Sequence, residues 1–76
     1  MNIFNIIVIL MSYLTLKEYR EMVNNIMEFK NKNGEMPEYT QINNRRILRE
    51  NYCDMIERVN KFFLEMGRNP KIIEIE

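Results

Sequence analysis

The side chains with chemical handles gather in two turns of one design. In NKNGEMPEY the carboxylates of Glu35 and Glu38 stand near the ring of Tyr39, and in EMGRNPKII the cations of Arg68 and Lys71 flank Asn69. Groups of these types bind rather than catalyse. Carboxylate, guanidinium and amide groups exchange hydrogen bonds, and a tyrosine ring offers a stacking face to a saccharide. Loops held by a rigid scaffold are where such contacts lie, so Glu35, Tyr39, Arg68 and Asn69 are the candidate ligand-binding residues. The chain has no histidine and one cysteine, Cys53. It therefore lacks the usual acid–base switch near neutral pH, the commonest zinc ligand and any internal disulfide. No nucleophile with a positioned base can be assembled, so the expectation is a protein that is not an enzyme, without metal or cofactor.

There are two such turns because the chain repeats itself. Displaced by 33 residues, Tyr19, Met22, Phe29, Gly34, Pro37 and Ile42 fall on Tyr52, Met55, Phe62, Gly67, Pro70 and Ile75. Leu14, Glu21, Val23 and Ile26 fall on Ile47, Asp54, Ile56 and Val59 in the same register. A period of this size marks tandem units that cannot bury an apolar face alone. Such an array suits surface presentation and binding.

Each repeat reads as a helix, a glycine stop and an extended piece. Thr15 and Glu18 form a capping-box pattern, in which hydroxyl and carboxylate satisfy two amide hydrogens that a helix start leaves unpaired. Leu16, Tyr19, Met22, Val23, Ile26, Met27 and Phe29 then follow the 3.6-residue period of one buried face. Gly34 can take the left-handed conformation that ends a helix, and Pro37 cannot continue it. Tyr39 to Ile42 extends, and Asn43-Asn44 marks a turn. In the second repeat the apolar face is Tyr52, Met55, Ile56, Val59, Phe62, Phe63 and Met66, the stop is Gly67 and Pro70, and Ile72 to Ile75 extends. Leu48 stands where Thr15 caps the first helix, which removes about 0.5–2 kcal/mol of capping. Ahead of both helices, Ile6 to Leu14 is rich in β-branched residues and reads as a strand. The sum is one small α+β or α/β domain of two tandem helix-turn-strand repeats preceded by a strand, β-α-β-α-β. The apolar strand covers residues 1–13, the first repeat 14–43 and the second 47–76. Crossovers of this length allow parallel pairing within one molecule, and the strands could also pair between molecules.

A chain of 76 residues buries only about 60% of its unfolded surface, so its core is thin and a homo-dimer or higher oligomer is expected. The 11 basic and 11 acidic side chains balance, which removes the positive field that nucleic-acid binders use. Arg45, Arg46 and Arg49 beside Asn43 and Asn44 form a local basic knot that a helix-turn-helix DNA reader could use. With zero net charge, a solvated turn near Glu50 and Glu57 is the better reading. The apolar start, MNIFNIIVILMSYL, is shorter than the roughly 20 residues of a membrane span and shows no clear secretory signal. Cys53 corresponds to Arg20, a half-exposed position, and reads as a passenger thiol.

With the repeat laid out, YLTLKEYREMVNNIMEFKNKNGEMPEY and ENYCDMIERVNKFFLEMGRNP resemble the pseudomurein-binding repeat of methanogenic archaea and of viral enzymes that attack their walls. The positions that carry the resemblance are Tyr19, Phe29, Gly34 and Pro37, then Tyr52, Phe62, Gly67 and Pro70, and they look structural. Arg68 matches the arginine that the family often places after the glycine, whereas Glu35 does not. The resemblance implies a non-catalytic cell-wall-binding module attached to pseudomurein, a glycan of N-acetylated amino sugars cross-linked by short peptides. It also implies a location at the cell wall or outside the cell. The alternatives are a small self-associating structural or adaptor protein with no wall ligand and, less favoured, a DNA-binding protein.

Overall fold

A computed structural model describes residues 13–75. The elements run β1 (Tyr13–Thr15), α1 (Leu16–Asn33), β2 (Tyr39–Ile42), β3 (Arg45–Leu48), α2 (Arg49–Met66) and β4 (Ile72–Glu74). The fold is α+β, with two helices and two small antiparallel sheets, β1–β4 and β2–β3. The α+β class is as expected, one strand is added to the expected order, and the pairing that the sequence left open is resolved. The stretch between Asn43-Asn44 and the second helix is a strand, so the order is β-α-β-β-α-β, and the pairings are antiparallel rather than the parallel ones a crossover would allow. Of the apolar strand expected over residues 1–13, all but Tyr13 lies outside the described residues.

The added strand places the boundary between the repeats. Asn43 (φ 51°) and Asn44 (φ 67°) both take positive φ, the signature of a two-residue type I′ hairpin turn, whose twist matches that of the strands it joins. Each repeat is then β-α-β, and neither is closed by its own strands. The first strand of repeat 1 pairs with the last of repeat 2, and the last of repeat 1 with the first of repeat 2.

This exchange follows one rule. If two residues pair, their counterparts 33 positions away also pair. Gln41 faces Arg46, and their counterparts Glu74 and Tyr13 face each other; Thr40 faces Ile47, as Ile73 faces Leu14. The backbone obeys it too, with Arg49 N–H donating to Glu38 O (2.8 Å) and Leu16 N–H to Lys71 O (3.1 Å). The repeats are therefore related as two subunits of an isologous dimer would be, within one chain.

The same rule fills the core. Leu14 and Ile47, Tyr19 and Tyr52, Met22 and Met55, and Ile26 and Val59 are counterparts, and all eight are buried in one cluster with Ile42 and Ile73. Truncating one of the fully enclosed members, Met22 or Met55, to alanine removes packing worth about 2–5 kcal/mol.

The helix ends are built as their residues dictate. At α1, Glu18 N–H donates to Thr15 Oγ1 (3.1 Å) and Thr15 N–H to Glu18 Oε1 (2.9 Å), completing the capping box. Leu48 makes no side-chain cap for α2. Gly34 (φ 80°) and Gly67 (φ 72°) end the helices in the left-handed region, each N–H reaching back to the carbonyl of Lys30 or Phe63 at 2.8 Å. The far ends of the expected apolar faces are not covered, since Met27, Phe29, Phe63 and Met66 are all exposed. Geometry explains this. Each helix has 18 residues, about 27 Å at 1.5 Å per residue. Strands of three or four residues cover only about 10–13 Å.

Candidate functional site

The first exit turn is clamped from the other repeat. Arg49, at the start of α2, donates from Nη2 to Met36 O (2.8 Å) and from Nε to Pro37 O (3.2 Å). The hydroxyl of Tyr52 donates to the same Pro37 carbonyl from the core side, and burial pushes that phenol above its ordinary pKa. Pro37 itself is buried, as is its counterpart Pro70. Leu16 is the counterpart of Arg49, so the second turn has no guanidinium in that position.

Beside the clamped turn, between the last turns of α1 and the start of β2, lies an open groove of about 730 Å³. Phe29 and Pro37 give it apolar walls, Asn25, Glu35, Glu38 and Gln41 give it polar ones, and Tyr39 stands at its rim strand. A second groove of about 210 Å³ lies between α2 and β4. Six of its seven lining residues are counterparts of residues that line the first. Arg58, Phe62, Pro70, Ile72, Ile73 and Glu74 replace Asn25, Phe29, Pro37, Tyr39, Thr40 and Gln41. The repeat has duplicated a groove, not merely a turn.

One substitution puts a side chain across the smaller groove. Arg58 spans the second groove, donating from Nε to Asp54 Oδ2 (2.8 Å) and from Nη2 to Glu74 O (2.6 Å). Asn25 is too short to make the equivalent reach. Cations of the chain also cap two rings: Arg68 lies 5.2 Å from the Phe62 centroid, and Arg46 lies 4.4 Å from that of Tyr39. Both are within the range where a cation is attracted to a ring face.

The four candidate ligand residues do not converge on one point. Glu35 and Tyr39 line the first groove. Arg68 covers a wall residue of the second. Asn69 lines a third hollow, with Tyr19, Arg20 and Asn24 of α1 and Asn60 of α2. Among the residues read as structural, Tyr19 and Tyr52 are core, and both glycines are helix stops. Phe29 and Phe62 instead face the grooves. Sequence reasoning passed over Asn25, Gln41 and Arg58. Comparing counterparts for changes in charge and length, rather than for identity, would have found them.

The basic knot is held to the surface of the fold by its own contacts. Arg45 donates to Tyr13 O, Arg46 covers Tyr39 and Arg49 clamps the exit turn. The turn expected here is present at Asn43-Asn44 and exposed, and it is followed by strand β3 and the start of α2, where Arg46 and Arg49 remain exposed while each of the three arginines has an intramolecular partner. Cys53 is exposed. Among the described residues no group of three or more His, Cys, Asp or Glu could hold a metal ion, and no helix is long and apolar enough to cross a membrane. No protein-family model matches the chain, and no curated protein matches it in sequence.

Proposed function

We propose that the chain is a non-catalytic attachment module for pseudomurein, acting at the cell wall or outside the cell. The observation that carries the proposal is the duplicated groove. The two turns whose residues resemble the pseudomurein-binding repeat each contribute to an amphipathic groove, and the grooves share six counterpart lining positions. An open groove with an aromatic wall and a polar rim suits a weak, shallow hold on one unit of a polymer. Several copies of the chain held together would gain useful affinity from one such site each, because a second contact forms at high effective concentration. The test is sedimentation of the purified chain with isolated pseudomurein sacculi, with bacterial murein as control. Selective pelleting with pseudomurein, reduced by Tyr39→Ala without change in circular dichroism, is expected. Equal or absent pelleting with both walls would refute the proposal.

A second reading, a self-associating structural protein, is favoured by one observation. Phe63, Leu64 and Met66 expose apolar surface at the end of α2, with Leu64 83% accessible, and a cluster of this kind commonly marks an interface. A concentration-independent monomer in sedimentation equilibrium would remove this reading.

A further inference from the structure

The two grooves share apolar walls but differ in charge at counterpart positions. Glu35 corresponds to Arg68, Glu38 to Lys71 and Asn25 to Arg58. In the second repeat one cation of the chain, Arg58, lines the groove, and another, Arg68, covers its aromatic wall residue. Arg58 is hydrogen-bonded across it, and Arg68 lies over the Phe62 ring at 5.2 Å. In the first repeat the counterpart ring, Phe29, is 40% exposed, and among the described residues no cation covers it. Glu35, a carboxylate, holds the position from which Arg68 covers Phe62.

We propose that the first groove is a binding site for a primary ammonium group, seated against the face of Phe29 and neutralised by Glu35 and Glu38. The inference rests on the reading of this groove as the ligand site and names the chemistry it takes. Arg68 over Phe62 shows, with the chain's own side chain, that a ring at this position of the repeat takes a cation on its face. The first groove offers the same wall with the complementary charge on the protein side. Its one lining cation, Arg49, has its guanidinium held by the carbonyls of Met36 and Pro37, so it does not reach over Phe29. Arg46 already places a cation on Tyr39, so Phe29 is the lining ring that has none. Lys30 and Lys32 follow in the last turn of α1 but do not line the groove. An ammonium could arrive on a lysyl side chain of a peptide or on an unacetylated amino sugar; both present the same group.

The test is a nitrogen-15 chemical-shift titration of the full chain with two amines, Nα-acetyl-lysine methylamide and glucosamine. Their N-acetylated forms, which lack the charge, serve as controls. At least one amine is expected to shift the resonances of Phe29, Glu35 and Glu38. Its acetylated form should bind roughly tenfold more weakly, as loss of one charge-assisted hydrogen bond implies. A response to lysine alone would identify a peptide ligand, and a response to glucosamine alone a sugar, each supporting the site. The response should fall with added salt and vanish in Glu35→Gln/Glu38→Gln. No shifts with either amine, or equal shifts with the acetylated controls, would overturn the proposal. Failure here is separable from failure of wall attachment. If the native chain pellets with pseudomurein but gives no amine response, the ammonium site is wrong and wall attachment stands. An amine response without pelleting keeps the site and removes the wall.

Discussion

The hydroxyl of Tyr52, in the helix of the second repeat, donates its hydrogen bond to the carbonyl of Pro37, in the exit turn of the first. One repeat thus holds the groove wall of the other. Tyr52 is fully buried, and Arg49 shares the same carbonyl. Tyr52→Phe should therefore leave the carbonyl with one partner and cost about 0.5–1.5 kcal/mol. Urea unfolding followed by circular dichroism measures it. Loss of ligand response in a variant that is still folded would show that the clamp shapes the groove.

The unequal helix caps predict opposite effects at counterpart positions. Thr15→Ala removes a hydrogen-bonded cap and should cost about 0.5–2 kcal/mol. Leu48→Thr supplies a capping hydroxyl where none exists and replaces an exposed leucine, 46% accessible, so a gain of about 0.5 kcal/mol or more is expected. Thermal melts of the two variants should move in opposite directions.

The cap also carries a pH dependence. The Thr15 backbone N–H holds the Glu18 carboxyl below its ordinary pKa; burial opposes this, and the Asn43 amide, the Thr15 hydroxyl and the Arg45 charge assist. A depressed folded pKa means that the contribution is complete above the unfolded value and is lost as pH falls through the folded one. The stability difference between the native chain and Glu18→Gln should therefore be largest near neutral pH and shrink below the ordinary glutamate range. A difference that grows on acidification would contradict the assignment.

The hairpin that joins the repeats accepts improvement. Asn44 holds φ at +67°, where glycine carries no steric penalty and Asn-Gly is the preferred type I′ pair. Asn44→Gly should raise stability by a few tenths of a kcal/mol to about 1. Asn44→Val should lower it by about 1–2, since a branched side chain is strained there. Differential scanning calorimetry would show both.

Much of this fold is written locally and can be read. The capping box of Thr15 and Glu18, the stops at Gly34 and Gly67, and the turn at Asn43-Asn44 each depend on residues within one turn of chain, and each is present. The pairing of strands is only partly local. Arg45 to Leu48 shows only one buried side chain, Ile47, too short an alternation to distinguish a strand from a charged turn. Strands β2 and β3 are joined by the Asn43-Asn44 turn, but β1 and β4 lie at opposite ends of the described chain and meet only through the packing of Leu14 and Ile73 in the shared core. The grooves were hidden for a related reason. Phe29 and Phe62 continue the apolar period of their helices, and only the short reach of the sheets leaves them at a groove instead of in the core.

The central claim, that the open groove of the first repeat carries attachment, is tested most directly by copying the second repeat's closure into it. Asn25→Arg places an arginine where Glu21 and the Gln41 carbonyl are the counterparts of Arg58's partners, Asp54 and the Glu74 carbonyl. The measurement is pelleting with pseudomurein sacculi, comparing the native chain with this variant and confirming the fold of each by circular dichroism. The account predicts that the native chain pellets and that the folded Asn25→Arg chain largely stays in solution. Undiminished pelleting of the folded variant would contradict it.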